Sequence, residues 1–310
     1  MVLHTGEALI DFIPVQDADG NPAYRPAPGG SPYNSAISTA RLGVQAQFLG
    51  RVSRDFFGDQ LISNLEANGV DTSRVVRTDQ PTTLAFVKKT ETGEARYAFY
   101  VTNAADRGLA ESDLPRPLPV ETEAIIFGSI SLIPDPVGST VLSLIEREAS
   151  RVVTSFDPNV RTVLVEDDAD YRNRVERACR AASIVKISDE DLEWFRPGTS
   201  LEEAGKELAG GNTRLVVVTK GADGAFAMTP TDTVSTEAVP TEVSDTVGAG
   251  DSFHSAVLAW LSRTGRLSLS SLDGLEKGDL AAMLDFAVRV AAKTCSRPGA
   301  DPPHADEIEL

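Results

Sequence analysis

Residues 245–251 read Asp245-Thr246-Val247-Gly248-Ala249-Gly250-Asp251, a glycine-rich turn closed by a carboxylate. Directly after it, Phe253, Ala256, Val257, Trp260 and Leu261 recur at the spacing of one buried helical face that runs out near Gly265. A Gly-Ala-Gly turn at a helix N-terminus lets the backbone approach a ligand closely. It also points unpaired N–H groups at that ligand, with the helix dipole favouring negative charge. Gly248, Ala249 and Gly250 are therefore expected to form an anion cradle. Asp251 is the odd member, because the dipole keeps it ionised and its charge repels a bound phosphate. A carboxylate beside a departing phosphoryl group suits a general base that deprotonates an incoming hydroxyl. A first-turn carboxylate that merely favours the helix is the other reading of the same four residues.

A second glycine site stands at 29–36, Gly29-Gly30-Ser31-Pro32-Tyr33-Asn34-Ser35-Ala36, where two glycines lead into a helix expected to be capped near Asn34 and to end at Leu42 before Gly43. Other phosphate motifs are missing. No Gly-x-x-x-x-Gly-Lys-Ser/Thr occurs, and no Gly-x-Gly-x-x-Gly follows the first strand signal, which weakens P-loop and dinucleotide-binding readings. His4, His254 and His304 are scattered without metal-ligand spacing.

The elements that must carry these residues alternate. A strand signal opens the chain over 2–12, another covers 47–50, and Asp55 is placed to cap a helix with Phe57, Leu61, Ile62 and Leu65 on one face before Gly69. Extended runs at 83–89 and 96–101 flank Glu91-Thr92-Gly93-Glu94 as a hairpin. Strands at 124–127, 152–156, 184–187 and 215–219 then alternate with helices at about 137–148, 168–182 and 201–208. This order predicts an α/β fold, a mostly parallel central sheet flanked by helices on both faces. The early hairpin breaks the alternation and is expected to stand off the main body as a small sheet. Residues 17–22 and 265–278 read as polar loops, and nothing suggests a hinge between separately folding units, so 1–310 is expected to form one domain.

The 310 residues carry 29 basic and 46 acidic side chains, a net charge of −17, which disfavours nucleic acid and anionic membranes as partners. It leaves room for a small anion held by backbone N–H groups. No apolar run reaches the ~18 residues of a membrane span. The first residues lack a basic-then-apolar order, so no signal peptide is expected. Cys179 and Cys295 make no disulfide framework and read as free thiols of a reducing cytoplasm.

Together, the Gly-Gly-x-Pro-x-Asn-x-Ala run and the late Asp-Thr-Val-Gly-Ala-Gly-Asp run resemble the two signatures of the PfkB (ribokinase-like) carbohydrate kinases, in detail most like bacterial fructokinases. Counterparts in order are Gly6-Glu7-Ala8-Leu9-Ile10-Asp11, Phe99-Tyr100, Ser155-Phe156-Asp157-Pro158-Asn159-Val160-Arg161, Val218-Thr219-Lys220-Gly221 and Ser296-Arg297-Pro298-Gly299-Ala300. The resemblance spans essentially the whole chain.

It implies transfer of the ATP γ-phosphate to a sugar's primary hydroxyl, with fructose the leading acceptor and 2-keto-3-deoxygluconate, or another sugar, the alternative. A sugar- or nucleotide-binding regulator without turnover is the rival from another class. Asp251 matches the base and Gly248, Ala249 and Gly250 the anion hole. Asp11, Gly29, Gly30, Asn34, Phe99 and Arg161 match the sugar site, and Lys186, Thr219, Gly221 and Gly224, with Gly248 and Gly250, the ATP site. The family's metal-linked Asn-x-x-Glu appears here as Ser188-Asp189-Glu190-Asp191, so Mg²⁺ is expected through water on Glu190 or Asp191, with a solvated acidic helix start as the other reading. Relatives hold K⁺ near positions matching Asp245, Val247 and Gly299. Strands at about 12–28 and 83–101 match the family's lid, through which a homodimer is expected. Where relatives that take acid sugars have Arg after the Phe-Tyr pair, this chain has Val101, with Arg96 and Arg161 as remaining cations.

Overall fold

The computed structural model describes residues 1–89 and 95–310, with the side chains of 88–97 outside the description. Strand β1 (Val2–Thr5) lies inside an eight-stranded sheet and pairs in parallel with β4 (Ala46–Leu49) on one side and β9 (Ala124–Gly128) on the other. Beyond β9 the sheet continues in parallel through β10 (Val153–Asp157), β11 (Ile184–Ser188) and β12 (Leu215–Thr219). Two antiparallel strands close it, β13 (Ala225–Met228) and β14 (Thr233–Thr236). The parallel strands are buried on both faces, and β9 and β12 are accordingly near-continuous apolar runs.

Alternate side chains sort into two cores. Leu3, Ile125, Phe156, Val185 and Val216 pack under α3 (Val137–Glu148), α4 (Asp168–Ala181), α5 (Asp189–Phe195) and α6 (Leu201–Leu208). Val2, Ile126, Val153, Ile184 and Val217 pack under α7 (Ala249–Arg263) and α9 (Lys277–Cys295). Between these last two helices lies the short α8 (Leu269–Leu272). Helix α1 (Ser31–Arg41) and helix α2 (Phe56–Ala67) share a third core with Phe48 of β4. As expected, Asp55 caps α2, its carboxylate accepting from Gly58 N at 2.7 Å. A minor pair, β5 (Arg51–Ser53) and β6 (Val76–Thr78), sits beside it.

The hairpin that broke the alternation belongs to a separate four-stranded sheet, ordered β3-β2-β7-β8: β2 (Leu9–Gln16), β3 (Pro22–Gly29), β7 (Thr83–Lys89) and β8 (Ala95–Tyr100). Its predicted turn, Glu91 to Glu94, lies outside the described residues.

Three expectations need correction. The opening strand is two strands, because Gly6 at φ +146° turns the chain out of the main sheet, so Asp11 belongs to β2 of the small sheet. Helix α1 starts at Ser31 with Gly30 as its N-cap; Pro32 already sits in the first turn, and Asn34 is inside the helix. Within 265–278 stands α8, and β5, β6, β13, β14, α5 and α9 were not foreseen.

The crossovers reverse direction between β1 and β9. The C-terminal ends of the parallel strands at this switch point form the crevice where α/β sheets place ligands.

Candidate active site

Asp157, Ser188 and Thr219 end β10, β11 and β12 on one side of the sheet, and Gly6-Glu7 follows β1 there. Across this rim lies a cavity of about 500 Å³ whose walls include Asp11, Asn34, Phe99, Arg161, Lys186 and Asp251. A second cavity of about 540 Å³ shares Thr219, Gly221, Thr246 and Gly250 with it. The two form one cleft with a polar end under the small sheet and an apolar end between Val239, Pro240, Phe253, Val288 and Ala292.

At the junction stands the glycine turn. Gly248 is the N-cap of α7 at φ +75°, and a Cβ there would lie 2.7 Å from Ala300 Cβ, so both backbone angle and space demand glycine. Gly250 leaves room for Lys186, whose Nζ would be 3.2 Å from an added Cβ. Among the described residues the N–H groups of Gly248 and Gly250 have no partner and line the cleft. Ala249 departs from the predicted cradle: its N–H turns back to Thr246 O at 3.3 Å, and the residue faces the apolar end.

Asp251 is in the first turn of α7 and 7% exposed. Ser31 Oγ donates to Oδ1 at 2.6 Å and Asn34 Nδ2 to Oδ2 at 2.9 Å. Burial pushes its carboxyl up to about 6, against these two hydrogen bonds and Lys186, with Asp157 adding to the rise. Asp11 projects from β2 toward the same cavity, and its Oδ2 occupies the space a Cβ on Gly29 would need. Burial raises it to about 6 as well; Arg161 opposes this and Asp251 adds to it. Gly30, at φ +109°, is pressed against Glu7 O, where a Cβ would come to 2.7 Å. Phe99 of β8 packs with Leu9, Ala85 and Ile130 on the inner face of the small sheet. Val101 lines a different, small cavity beside Asp106 and Arg107, so its side chain is not part of the cleft wall. Arg96 has its side chain outside the described residues.

Lys186 ends in a buried ion pair, Nζ to Asp157 Oδ2 at 2.8 Å. Burial alone would lower the ammonium; Asp157, with Asp191 and Asp251, holds it above its ordinary value. Glu190 and Asp191 open α5 on the cleft wall, and Asp191, which accepts from Val160 N at 3.2 Å, is raised to about 6 by burial and Asp157. Among the described residues no group of three or more His, Cys, Asp or Glu side chains could hold a metal ion. Asp245 joins two segments, accepting from Val247 N at 3.1 Å and Gly299 N at 3.0 Å. Gly224, at φ +84°, borders the apolar end with Gly221.

Of the residues assigned to base, anion hole, sugar and nucleotide, the cleft gathers all but Gly29, which backs Asp11; of the expected cation positions Glu190, Asp191 and Val247 line it, while Asp245 and Gly299 stand beside the turn. Sequence reasoning missed Ser31 and Glu7, although Ser31 lies inside the quoted glycine run and Glu7 inside the quoted run from Gly6 to Asp11. It also missed the apolar end, where Val288, Ala291, Ala292 and Cys295 recur at helical spacing along α9.

The pfkB family carbohydrate kinase pattern matches residues 1–307. A fructokinase of Rhizobium leguminosarum bv. trifolii is 39% identical over 277 residues, covering 89% of this chain and 84% of the relative. A fructokinase of Xylella fastidiosa with bound ATP superposes with a TM-score of 0.89 at 28% identity, over 96% of this chain and 93% of that one. A Vibrio cholerae O395 fructokinase with fructose, ADP and calcium ion bound gives 0.84 at 31% identity, over 96% and 94%.

Proposed function

The chain belongs to the pfkB family of carbohydrate kinases, and on that premise we propose that it is a fructokinase that converts fructose and ATP to fructose 6-phosphate and ADP. The observation that carries this reading is the position of Asp251, a doubly held carboxylate where the polar and apolar ends of the cleft meet at a helix N-terminus. The apolar end suits an adenine ring and the glycine turn its phosphates. The polar end suits a polyol: Asp11 accepts from hydroxyls, and the Asn34 amide carries both a donor and an acceptor.

Asp251, ionised above pH 6, takes the proton from the primary hydroxyl. The oxygen then bonds to the γ-phosphorus as the bond to the β-phosphate oxygen breaks, and ADP leaves. The N–H groups of Gly248 and Gly250 and the Lys186 ammonium face the charge on the transferring group. Glu190 and Asp191 offer hard oxygen donors that fit a hydrated Mg²⁺ held through water, which when bound neutralises phosphate charge. The clasp at Asp245, Val247 and Gly299 is our proposal for the K⁺ site. The four-stranded sheet acts as a lid whose closure keeps water from competing as acceptor.

We place a homodimer on the outer face of that lid. Phe12 stacks on Phe86, with Tyr24 and Tyr100 edge-on, and the two tyrosines are 48% and 65% exposed, an apolar patch that a second copy would cover. No helix among the described residues is long and apolar enough to cross a membrane. Unpaired Cys179 and Cys295 suit the reducing cytoplasm, where we place the activity.

An acid sugar remains the second reading because Arg161 lines the sugar end. Coupled ADP release with fructose, 2-keto-3-deoxygluconate and ribose separates the two. Fructose is expected to have a kcat/KM at least ~10-fold above the acid sugar, the worth of one charge-assisted hydrogen bond. The reverse order would make Arg161 a carboxylate partner and overturn the fructokinase assignment.

A further inference from the structure

Ser31 takes no part in capping its own helix. Gly30 is the N-cap of α1 and, as a glycine, has no side chain to cap that end. The Ser31 hydroxyl is instead spent across the cleft on Asp251 Oδ1, at 2.6 Å. Behind it, the Ser31 N–H, one of the unpaired donors of the helix start, is accepted by Glu7 Oε1 at 3.1 Å. Glu7 is 1% exposed, and its other oxygen accepts from Ser131 Oγ, which in turn accepts from Glu7 N at 2.8 Å. One turn further along, Ser255 Oγ of α7 donates to Ser35 O of α1 at 2.9 Å, which fixes the register of the two helices. A connected path therefore runs from Ser131 in the turn after β9, through Glu7 just beyond β1, to the carboxylate at the start of α7.

We propose that Ser31 is a positioning residue for Asp251: its hydroxyl holds one carboxylate oxygen while Glu7 holds the Ser31 backbone, so that the base keeps one orientation toward the acceptor hydroxyl. The inference rests on the sugar-kinase reading of the cleft. Two donors on opposite oxygens, from Ser31 and Asn34, lock the carboxylate plane and leave a lone pair on each oxygen for the acceptor's proton. Ser31 also selects the charged form of Asp251, since a hydroxyl that donates to a carboxylate favours ionisation.

The other groups facing Asp251 are Asn34 from α1, Asp11 from β2, Asp157 from β10 and Lys186 from β11. Glu7 lies behind Ser31, and its carboxyl is raised by burial against the pull of Ser131. His254, one turn along α7, is bonded to Ser155 Oγ at 2.6 Å and lowered to about 4 by burial, so it stays neutral where Asp251 titrates.

The test compares wild type, Ser31→Ala and Ser31→Thr. Alanine removes a single oxygen at a helical position that tolerates it, and threonine returns the hydroxyl. With fructose and MgATP, kcat and both KM values are read from pH 5 to 9. Losing one hydrogen bond to a charged group should move the acid limb of kcat in Ser31→Ala upward by about one pH unit. Turnover then falls roughly fivefold at pH 6, approaches tenfold at pH 5 and changes less than ~3-fold at pH 8.5, with fructose KM within ~3-fold. Ser31→Thr should restore the wild-type limb. A second readout needs no turnover: Ser31→Ala should melt below wild type at pH 8 and closer to it at pH 4, where Asp251 is protonated. Superimposable pH profiles, with equal melting differences at both pH values, would overturn the proposal. A raised fructose KM with an unmoved limb would also overturn it, making Ser31 a sugar contact. Wild type that turns over no sugar refutes the sugar-kinase reading separately, since the melting comparison still decides what Ser31 does to Asp251.

Discussion

Replacing Asp11 with alanine should separate the two ends of the cleft. Asp11 stands on β2, at the polar end, whereas Thr219 and Gly221 border the nucleotide end. As an ionised acceptor of sugar hydroxyls it supplies about 1.5–3 kcal/mol, so Asp11→Ala should raise the fructose KM by roughly 10- to 150-fold. The KM for ATP should stay within about threefold. Titration provides a second handle. Burial raises Asp11 to about 6, with Arg161 opposing and Asp251 adding to the rise. Donated hydroxyls favour the charged form, so bound fructose lowers this pKa. Affinity is then fully present above pH 6 and lost as pH falls through it. At pH 5 about a tenth of the group is ionised, so wild-type fructose KM should rise roughly tenfold between pH 7 and pH 5. Asp11→Asn should flatten that rise. Asp251 titrates in the same range, but its protonation appears in kcat, and a coupled ADP-release assay resolves the two parameters. An ATP KM that climbs as far as the fructose KM would refute the reasoning, as would an undiminished pH dependence in Asp11→Asn.

Asp251→Asn keeps the size of the side chain and loses the proton acceptor; turnover should fall at least ~10²-fold while ATP still binds by calorimetry. The same variant should melt above wild type at pH 7.5. The fold raises the Asp251 pKa, so the charged form costs on the order of 1–3 kcal/mol, a penalty that grows as pH rises from about 4 to 6 and vanishes below pH 4. Lys186→Met leaves Asp157 buried and unpaired and should cost about 3–5 kcal/mol in denaturant unfolding at pH 7, besides slowing turnover. Gly248→Ala forces a side chain into φ +75° and against Ala300, and should raise the ATP KM at least ~10-fold relative to wild type in initial-rate assays.

The parallel sheet was legible because its strands are apolar runs set between helices of 3.6-residue period, as at Phe253 to Leu261. The small sheet was legible by contrast, since the runs beginning at Thr83 and Arg96 have no helix between them. Boundaries failed where a backbone angle decided them. Gly6 ends β1 through φ +146°, which a lone glycine permits without requiring, and Asn34 resembled a cap although Pro32 marks an earlier start. The strand Ala225–Met228 is only four residues long, too short for an apolar run to be told from a helical segment, and 277–295, one long helix, carries Gly278 in its first turn. Within the site, the glycine turn and Asp251 could be read because a helix start and its first carboxylate are neighbours in sequence. The hydrogen bond from Ser31 to Asp251 joins residues 220 positions apart, and only the packing of α1 on α7 creates it.

The central claim is phosphoryl transfer from ATP to the primary hydroxyl of fructose, and phosphorus NMR of the reaction mixture tests it most directly. With enzyme, MgATP and fructose, the ATP γ-phosphorus signal should be replaced by one phosphomonoester resonance coupled to the C6 protons of fructose, in step with ADP. ADP accompanied by inorganic phosphate alone, or a phosphoryl group on another carbon, would contradict the account.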